Sequence, residues 1–330
     1  MLTMNFQSPL LSAPESGPPR GHDALHSAIT AWFEASARVL PWRSADRTPW
    51  GVYVSEVMLQ QTPVVRVLPV WTDWLARWPT PAHLAAEPAG EAVRHWGRLG
   101  YPRRALRLHA AATAMVDLHE GAVPSDYDTL LTLPGVGGYT AAAVAAFAFG
   151  ARETVVDTNI RRVHARLVGG KALPAPALTA AEMRRAALLL PEEDALSVQW
   201  NAAVMELGAV VCTARSPRCE ACPVLESCAW VAAGRPEPDY VPRGQAWAGT
   251  DRQVRGAILA VLREAEDYLV PELLVSGPVD LSPPSDNSRL TALDTLHRLR
   301  APAQQVERAL AGLLADGLAQ ETTGGIGLPR

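Results

Sequence analysis

Apolar residues in the first two thirds of the chain recur every three or four positions, and Gly and Pro separate the runs. This period is typical of amphipathic α-helices, and the alternation that marks a strand is scarce. The pattern predicts a mainly α domain over residues 23–211 without an internal repeat. The predicted helices span residues 26–37, 52–61, 65–77, 104–119, 127–132, 140–149, 159–167, 179–190 and 199–211.

The pattern changes after residue 230. Residues 231–250 are rich in Pro, Gly and polar residues, which is typical of a linker. Helical periodicity returns in DRQVRGAILAVLREAE and AQQVERALAGLLADG, which are separated by SPPSDNS, a segment with the composition of a disordered loop. LAQETTGGIGLP predicts two short strands about a Gly turn. Residues 251–330 are therefore predicted to form a small C-terminal α+β module, winged-helix-like.

The N-terminus and the net charge exclude some classes of protein. Residues 1–22 lack a basic segment followed by an apolar run, so they predict a disordered leader, and no stretch predicts a membrane span. We expect a cytoplasmic protein. The formal charge of −4 does not indicate a nucleic-acid partner. Arginines do cluster in RHWGRLGYPRRALRLHA and NIRRVHARL, which favours phosphate contacts, although each run is also typical of a solvated helix face.

All 4 cysteines of the chain lie in VCTARSPRCEACPVLESC, with the spacing C-x6-C-x2-C-x5-C. Without an export signal, clustered thiols bind metal more often than they form disulfides. Four thiolates hold either zinc or an iron–sulfur cluster. Because the ligands follow one another around a single short loop, residues 212–230, the spacing favours a [4Fe–4S] cluster over zinc. The predicted ligands are Cys212, Cys219, Cys222 and Cys228, and we expect Arg215 and Arg218 beside them to face phosphate.

LPGVGGYTAAAVAAFAFG contains a glycine-rich turn between two predicted helices. Gly135 and Gly137 permit a tight turn, and the N–H groups of Gly135, Val136 and Gly137 are expected to point outward at the next helix N-terminus. Such a nest fits a phosphodiester. A plain interhelical turn is the alternative, because glycines commonly end helices.

Two carboxyl groups lie in apolar sequence. Asp157 follows two valines in VVDTNIRRVHARL and precedes a helix, where capping alone would explain it. Glu56 lies among apolar residues in WGVYVSEVMLQQT, and burial there is expected to raise its pKa so that it can donate a proton. The two groups become candidates for catalysis only if the fold brings them together.

These motifs together resemble the adenine DNA glycosylases of the MutY type, in the endonuclease III superfamily. The similar segments occur in family order over residues 23–230: LPWR, SEVMLQQT, LPGVGGYTA, VVDTNIRRV and the four-cysteine loop after ELGAVVC. The resemblance implies a two-lobed helix-hairpin-helix domain that flips one nucleotide of double-stranded DNA into the cleft between its lobes. It implies a monomeric base excision repair enzyme that hydrolyses the N-glycosidic bond of adenine mispaired with 8-oxoguanine or guanine.

The resemblance also implies roles for individual residues. The family residue that matches Glu56 protonates adenine N7, and the one that matches Asp157 stabilises the sugar cation or an adduct at C1′. This division of labour mirrors that of glycoside hydrolysis. Asn159 is expected to hydrogen-bond Asp157 or the phosphate, and Trp42 and Arg43 resemble the adenine pocket of the family.

Tyr139 and two glutamines bear on the subfamily. Bifunctional members of the superfamily place a Schiff-base lysine where this chain has Tyr139, and its single lysine, Lys171, lies elsewhere. The resemblance therefore implies a monofunctional glycosylase without robust lyase activity. A thymine-removing branch also carries the tyrosine, so a mismatch thymine or uracil glycosylase is the alternative. Gln60 and Gln61 resemble the adenine branch, where this segment probes the base step beside the lesion.

The C-terminal part departs from the family. Typical members end in a NUDIX-like domain that recognises 8-oxoguanine with a Phe-Ser-His loop, whereas no Phe follows Phe149 in this chain. How the opposite base is recognised is therefore not predicted. A catalytically silent iron–sulfur DNA-binding protein is a further alternative, although DNA binding alone requires neither carboxylate. The sequence leaves an added redox role for the cluster open.

Overall fold

The computed structural model describes residues 22–241, 244, 246–264, 291–323 and 325–330. The helices there are α1 (Asp23–Ser36), α2 (Pro49–Leu59), α3 (Val64–Arg77), α4 (Pro81–Ala85), α5 (Ala89–Trp96), α6 (Arg103–Leu118), α7 (Tyr127–Thr132), α8 (Gly138–Phe149), α9 (Thr158–Leu167), α10 (Ala180–Leu189), α11 (Asp194–Val210), α12 (Ala229–Ala232), α13 (Asp251–Glu264), α14 (Ala292–Arg298) and α15 (Ala303–Ala315). Strands β1 (Gln320–Thr322) and β2 (Gly325–Gly327) form an antiparallel hairpin. The prediction of a mainly helical protein is confirmed.

Each predicted helix is present in the structure, and four short helices, α4, α5, α12 and α14, were not predicted. Helices α4 and α5 begin at or just after a proline, and all four are too short to show a clear period. The predicted leader, residue 22 excepted, and the SPPSDNS loop lie outside the described residues. None of the described helices is long and apolar enough to cross a membrane.

Local sequence explains where the helices that carry the site begin and end. Thr48 caps α2 by accepting a hydrogen bond from the Gly51 N–H, and Pro49 takes the first helical position. Asp157 caps α9 in the same way through the Ile160 N–H. Gly150, at φ 79°, ends α8 in the left-handed conformation that glycine adopts most readily. The carboxyl of Asp157 is thereby fixed at the start of a helix.

Two hydrophobic cores divide the helical domain into two lobes. The first lobe, α2–α7, packs around buried Trp50, Trp74 and Trp96, and the second, α1 with α9–α11, packs around Ile160 and Trp200. Helix α8 contributes to both cores. Its alanine-rich sequence allows close packing on every side, with Ala141, Val144 and Ala145 in the first core and Ala142, Ala143 and Ala146 in the second. The lobes therefore meet along one buried helix.

The C-terminal module continues the first core. Apolar residues of α13, α15 and β2 belong to the same cluster as the tryptophans of the first lobe. Arg263 donates from Nε to the Val93 carbonyl at 2.9 Å, and the Gly90 N–H donates to the Pro329 carbonyl at 2.6 Å. A Cβ at Gly90 would lie 2.3 Å from that same carbonyl oxygen. The module is thus packed directly on α5.

Candidate active site

A cavity of about 560 Å³ lies between the two lobes. Helix α2 provides Glu56, α8 provides Tyr139, and the start of α9 provides Asp157. The short 3₁₀ turn Pro41–Arg43 places Trp42 and Arg43 on the same cavity wall. The structure therefore brings together residues that are separated by up to about a hundred positions in the sequence. Asn159 also lines this cavity.

Glu56 has an environment suited to a proton donor. The residue is only 5% exposed, and the Tyr139 hydroxyl donates to its Oε2 at 2.7 Å. Burial raises the pKa of Glu56 to about 7, and the nearby negative charge of Asp157 adds to the rise. The Tyr139 hydrogen bond and the charge of Arg43 act in the opposite direction. Glu56 can therefore hold a proton near neutral pH.

Asp157 is oriented by two hydrogen bonds. Its Oδ1 accepts from the Ile160 N–H and its Oδ2 accepts from Asn159 Nδ2, both at 2.7 Å. Burial raises the pKa of Asp157, although these two hydrogen bonds favour the ionised carboxylate and so lower that pKa. The capping interpretation is confirmed, and the same side chain lines the cavity, so capping and a role in the site do not exclude each other.

Arg162 connects the partner of Asp157 to the cysteine loop, a role that the sequence did not reveal. Its Nη2 donates to Asn159 Oδ1 at 2.8 Å, and its Nε donates to the Cys212 carbonyl at 2.8 Å. Gly208 permits the close packing, since a Cβ there would lie 2.7 Å from Asn159 Cβ. The first cysteine of the loop and the carboxylate in the cavity are thus joined by a chain of hydrogen bonds.

Arg38 also lines the cavity and pairs with Glu206, and sequence reasoning missed both residues. Arg38 donates to both carboxylate oxygens of Glu206, at 2.6 and 2.8 Å, and Arg43 donates at 3.0 Å. Glu206 is fully buried. Burial opposes its ionisation, but the bonds and charges of the two arginines lower the pKa of Glu206. A lone acid in the apolar run AAVMELGAVV was the available signal.

The glycine-rich turn differs in one respect from the expectation. Gly135 has φ 80°, and a Cβ there would lie 2.7 Å from the Arg107 side chain. The Val136 N–H donates to the Leu133 carbonyl at 3.1 Å, so the expectation that it points outward is wrong. The N–H groups of Gly135 and Gly137 have no hydrogen-bond partner within the described residues. The turn therefore offers a smaller anion site than three successive donors would give.

Gln60 and Gln61 lie just after α2, between cavity-lining Leu59 and Thr62. Gln60 Nε2 donates to Thr140 Oγ1 at 3.2 Å, whereas Gln61 is exposed and has φ 54°. Beside them, Tyr101 is 50% exposed at φ 46°, with the Arg104 guanidinium 4.5 Å from its ring centroid. Sequence reasoning missed Tyr101, although it is an aromatic residue within an arginine cluster.

The four free thiols of the cysteine loop are the ligand set that an iron–sulfur cluster takes. Burial raises the pKa of the Cys222 thiol to about 11, and the other three cysteines lie close enough to raise it further. Thiolates there require a positive counter-charge. Arg215 and Arg218 are exposed on the loop.

Comparisons with known family models and solved structures identify the class of protein. Residues 54–187 match the HhH-GPD superfamily of base excision DNA repair proteins, and residues 212–228 match the iron–sulfur binding domain of endonuclease III. A solved structure of a thermostable thymine-DNA glycosylase is 27% identical with a TM-score of 0.58, covering 64% of this chain and 97% of that one. Fold and site together define a helix-hairpin-helix DNA glycosylase with an iron–sulfur loop.

The relatives found by sequence comparison identify the family within this class. The adenine DNA glycosylase of Mycobacterium tuberculosis (strain CDC 1551 / Oshkosh) is 48% identical over 298 residues, which cover 90% of each chain. A thymine/uracil-DNA glycosylase of Pyrobaculum aerophilum is 36% identical over 63% of this chain and 93% of its own length. The chain belongs to the adenine DNA glycosylase family. The predicted family, fold class and [4Fe–4S] cofactor are thereby confirmed, whereas the domain boundaries and the individual site residues stay predictions.

Proposed function

We propose that this protein removes adenine mispaired with 8-oxoguanine or guanine from double-stranded DNA, as a monofunctional glycosylase of base excision repair. One observation carries the proposal: a carboxyl group with a pKa of about 7 shares the interlobe cavity with a second carboxylate. This is the acid-and-carboxylate pair that glycosidic bond hydrolysis requires. We further propose that the protein acts as a monomer in the cytoplasm.

One hydrogen bond supports a choice between the two oxygens of Glu56 as the carrier of the proton. Because Oε2 accepts from the Tyr139 hydroxyl, the proton of the neutral acid is on Oε1. Glu56 donates this proton to N7 of the flipped adenine, the C1′–N9 bond breaks, and its electron pair leaves with the base. The Asp157 carboxylate stabilises the positive sugar. A water molecule then adds to C1′ and returns a proton to Glu56, which completes the hydrolysis.

The arrangement disfavours lyase chemistry, because an imine requires a lysine amine at the sugar. The single lysine, Lys171, does not line the interlobe cavity, and its Nζ lies 3.1 Å from Asp239 Oδ2 on the surface. Tyr139, which occupies the hairpin position, donates to Glu56 instead. We therefore expect abasic DNA as the product, with the strand intact.

Duplex binding is assigned to the face that carries the hairpin. The free N–H groups of Gly135 and Gly137 lie at the α8 N-terminus and suit a phosphate. Gln60 and Gln61 lie between cavity-lining Leu59 and Thr62, while Trp42 and Arg43 line the cavity where we expect the base to bind. The cluster supplies the iron–thiolate bonds that tie together the loop carrying Arg215 and Arg218, which we assign to the DNA backbone.

Single-turnover base release tests the proposal on duplexes with A opposite 8-oxoguanine, A opposite G, and T opposite G. We expect adenine release that Glu56→Gln slows by about 10²–10⁴-fold. Thymine release would instead support the alternative indicated by the thymine/uracil relatives. Binding without release from any duplex would favour a silent DNA-binding protein. The ratio of the two adenine rates measures recognition of 8-oxoguanine.

A further inference from the structure

The interlobe cavity extends well beyond the two carboxyl groups. Six residues on one face of α11 line it, from residue 195 to residue 209, which corresponds to about 21 Å along the helix. Glu56 and Asp157 lie towards the Ala209 end, because Asn159 packs against Gly208. A base that contacts Glu56 therefore occupies only part of this length. The lining residues of α11 are Ala195, Val198, Gln199, Ala202, Met205 and Ala209.

The other helices of the cavity show the same two ends. Tyr139 is near the start of α8, by the hairpin, and Phe147 is two turns further on, about 12 Å away along the helix. Arg47 precedes α2 and donates from Nε to the Phe147 carbonyl at 2.9 Å. Both residues line the cavity at the end remote from the hairpin. We call this end the rear arm, formed by Phe33, Arg47, Phe147, Ala195, Val198, Gln199 and Ala202.

The chemistry of the rear arm suits an uncharged, planar molecule. Its walls are mostly aromatic or aliphatic side chains, and Ala202 leaves space where a larger residue would fill it. Glu56 and Asp157 are the acidic residues among the described lining residues, and both lie at the other end. Gln199 Nε2 donates to Glu34 Oε1 at 2.6 Å and Arg47 Nε to the Phe147 carbonyl, so both side chains are held in place. Ala195 and Arg47 are exposed to solvent. The arm thus connects the site of bond cleavage to the surface opposite the hairpin.

We propose that the rear arm is the exit path of the released adenine, so that the base leaves while the DNA product still covers the front of the cavity. The proposal rests on the adenine glycosylase activity proposed above. Once the C1′–N9 bond has broken, the sugar and the duplex close the hairpin side. A neutral purine then has an apolar, solvent-connected route in the other direction.

A bulky residue in the arm provides the test. Ala202→Trp fills the arm about 10 Å along α11 from the Ala209 end, near which Glu56 and Asp157 lie. Ala187→Trp places the same residue at an exposed position of α10 as a control. Each protein is mixed, in molar excess, with a duplex that carries tritiated adenine opposite 8-oxoguanine. Alkaline cleavage of the abasic site reports bond hydrolysis, and rapid filtration through a membrane that retains the protein–DNA complex reports free base.

We expect the wild-type protein and Ala187→Trp to release base at the rate of hydrolysis, while the DNA is still retained. Ala202→Trp should hydrolyse at an unchanged rate but lose this early release, so that base appears only as DNA dissociates. Early release by Ala202→Trp, or its absence in the wild type, would overturn the proposal. Val198→Phe narrows the arm one turn away and replaces Ala202→Trp if that variant does not fold.

A separate measurement does not depend on catalysis. Equilibrium dialysis with free adenine should show binding to the wild type and to Ala187→Trp that is lost in Ala202→Trp. Equal retention of adenine by the two variants would exclude the arm as a base site. A wild-type protein that hydrolyses none of the duplexes would instead contradict the glycosylase proposal. The dialysis result alone would then show whether the rear arm binds adenine.

Discussion

At the scale of single residues, the proton of Glu56 links the structure to a measurable pH profile. Burial raises the pKa of this carboxyl to about 7, and the acid acts only while protonated. Base release should therefore fall as the pH rises through about 7. It should also fall in acid, where the Asp157 carboxylate becomes protonated. Single-turnover rates measured across pH give both the acid limb and the alkaline limb of this profile. A rate that increases above pH 8 would exclude Glu56 as the acid.

Tyr139→Phe separates the two effects of the Tyr139 hydroxyl. The hydrogen bond that it donates lowers the pKa of Glu56, so its removal should raise that pKa and shift the alkaline limb to higher pH. Glu56→Gln removes the acid itself and should cost about 10²–10⁴-fold in rate. Affinity for a duplex should change little in either variant. An unshifted limb in Tyr139→Phe would show that the hydroxyl does not influence the proton of Glu56.

Arg162 is a positioning residue whose effect should appear in the acid limb. Its charge lowers the pKa of Asp157, and its guanidinium holds Asn159 against that carboxylate. Arg162→Gln should therefore slow base release and move the acid limb to higher pH. Arg161→Gln is the matched control, because the neighbouring arginine pairs with Glu182 instead. Equal pH–rate profiles for the two variants would contradict a positioning role for Arg162.

At the scale of elements, the hairpin before α8 distinguishes its two glycines. Gly135→Ala adds a Cβ at φ 80° and 2.7 Å from Arg107, whereas a Cβ at Gly137 meets no atom within 4 Å. We expect Gly135→Ala to cost about 1–3 kcal/mol of unfolding free energy and to weaken duplex binding. Gly137→Ala should fold normally. Denaturant unfolding and binding titrations of both variants check this, and equal stability would rule out the strain.

Helical periodicity and cap residues were sufficient to predict the longer helices of the domain, because these signals lie within a few positions of each other, whereas α4 and α5 are too short to show them. The motif residues Glu56, Tyr139 and Asp157 could also be recognised. Their contacts could not, since the bond between Tyr139 and Glu56 spans 83 positions. The Glu206 pair with Arg38 spans 168 positions, so the lone acid in its apolar run did not reveal its partner. Such long-range contacts depend on how the lobes pack, which periodicity and local motifs do not reveal.

At the scale of the whole molecule, the C-terminal module and the first lobe form one packed unit. Gly90→Val would drive a side chain into the Pro329 carbonyl, so we expect a loss of about 1–3 kcal/mol in unfolding free energy and a lower Tm. Gly256→Ala in α13 is the control, because its Cβ would make only an ordinary contact with Trp247 at 3.7 Å. A Gly90→Val protein as stable as the control would argue against tight docking.

The arrangement of the second lobe has a consequence for synthesis on the ribosome. Helix α1 emerges first, yet its His26 side chain bonds the Leu189 carbonyl 163 residues later. At about 5–20 residues per second, α1 waits roughly 8–33 s for that partner. The first lobe emerges entirely within this interval, so the nascent chain carries an unpaired apolar helix beside a forming core. Translation speed between α1 and α10 therefore becomes a variable that affects the yield of folded protein.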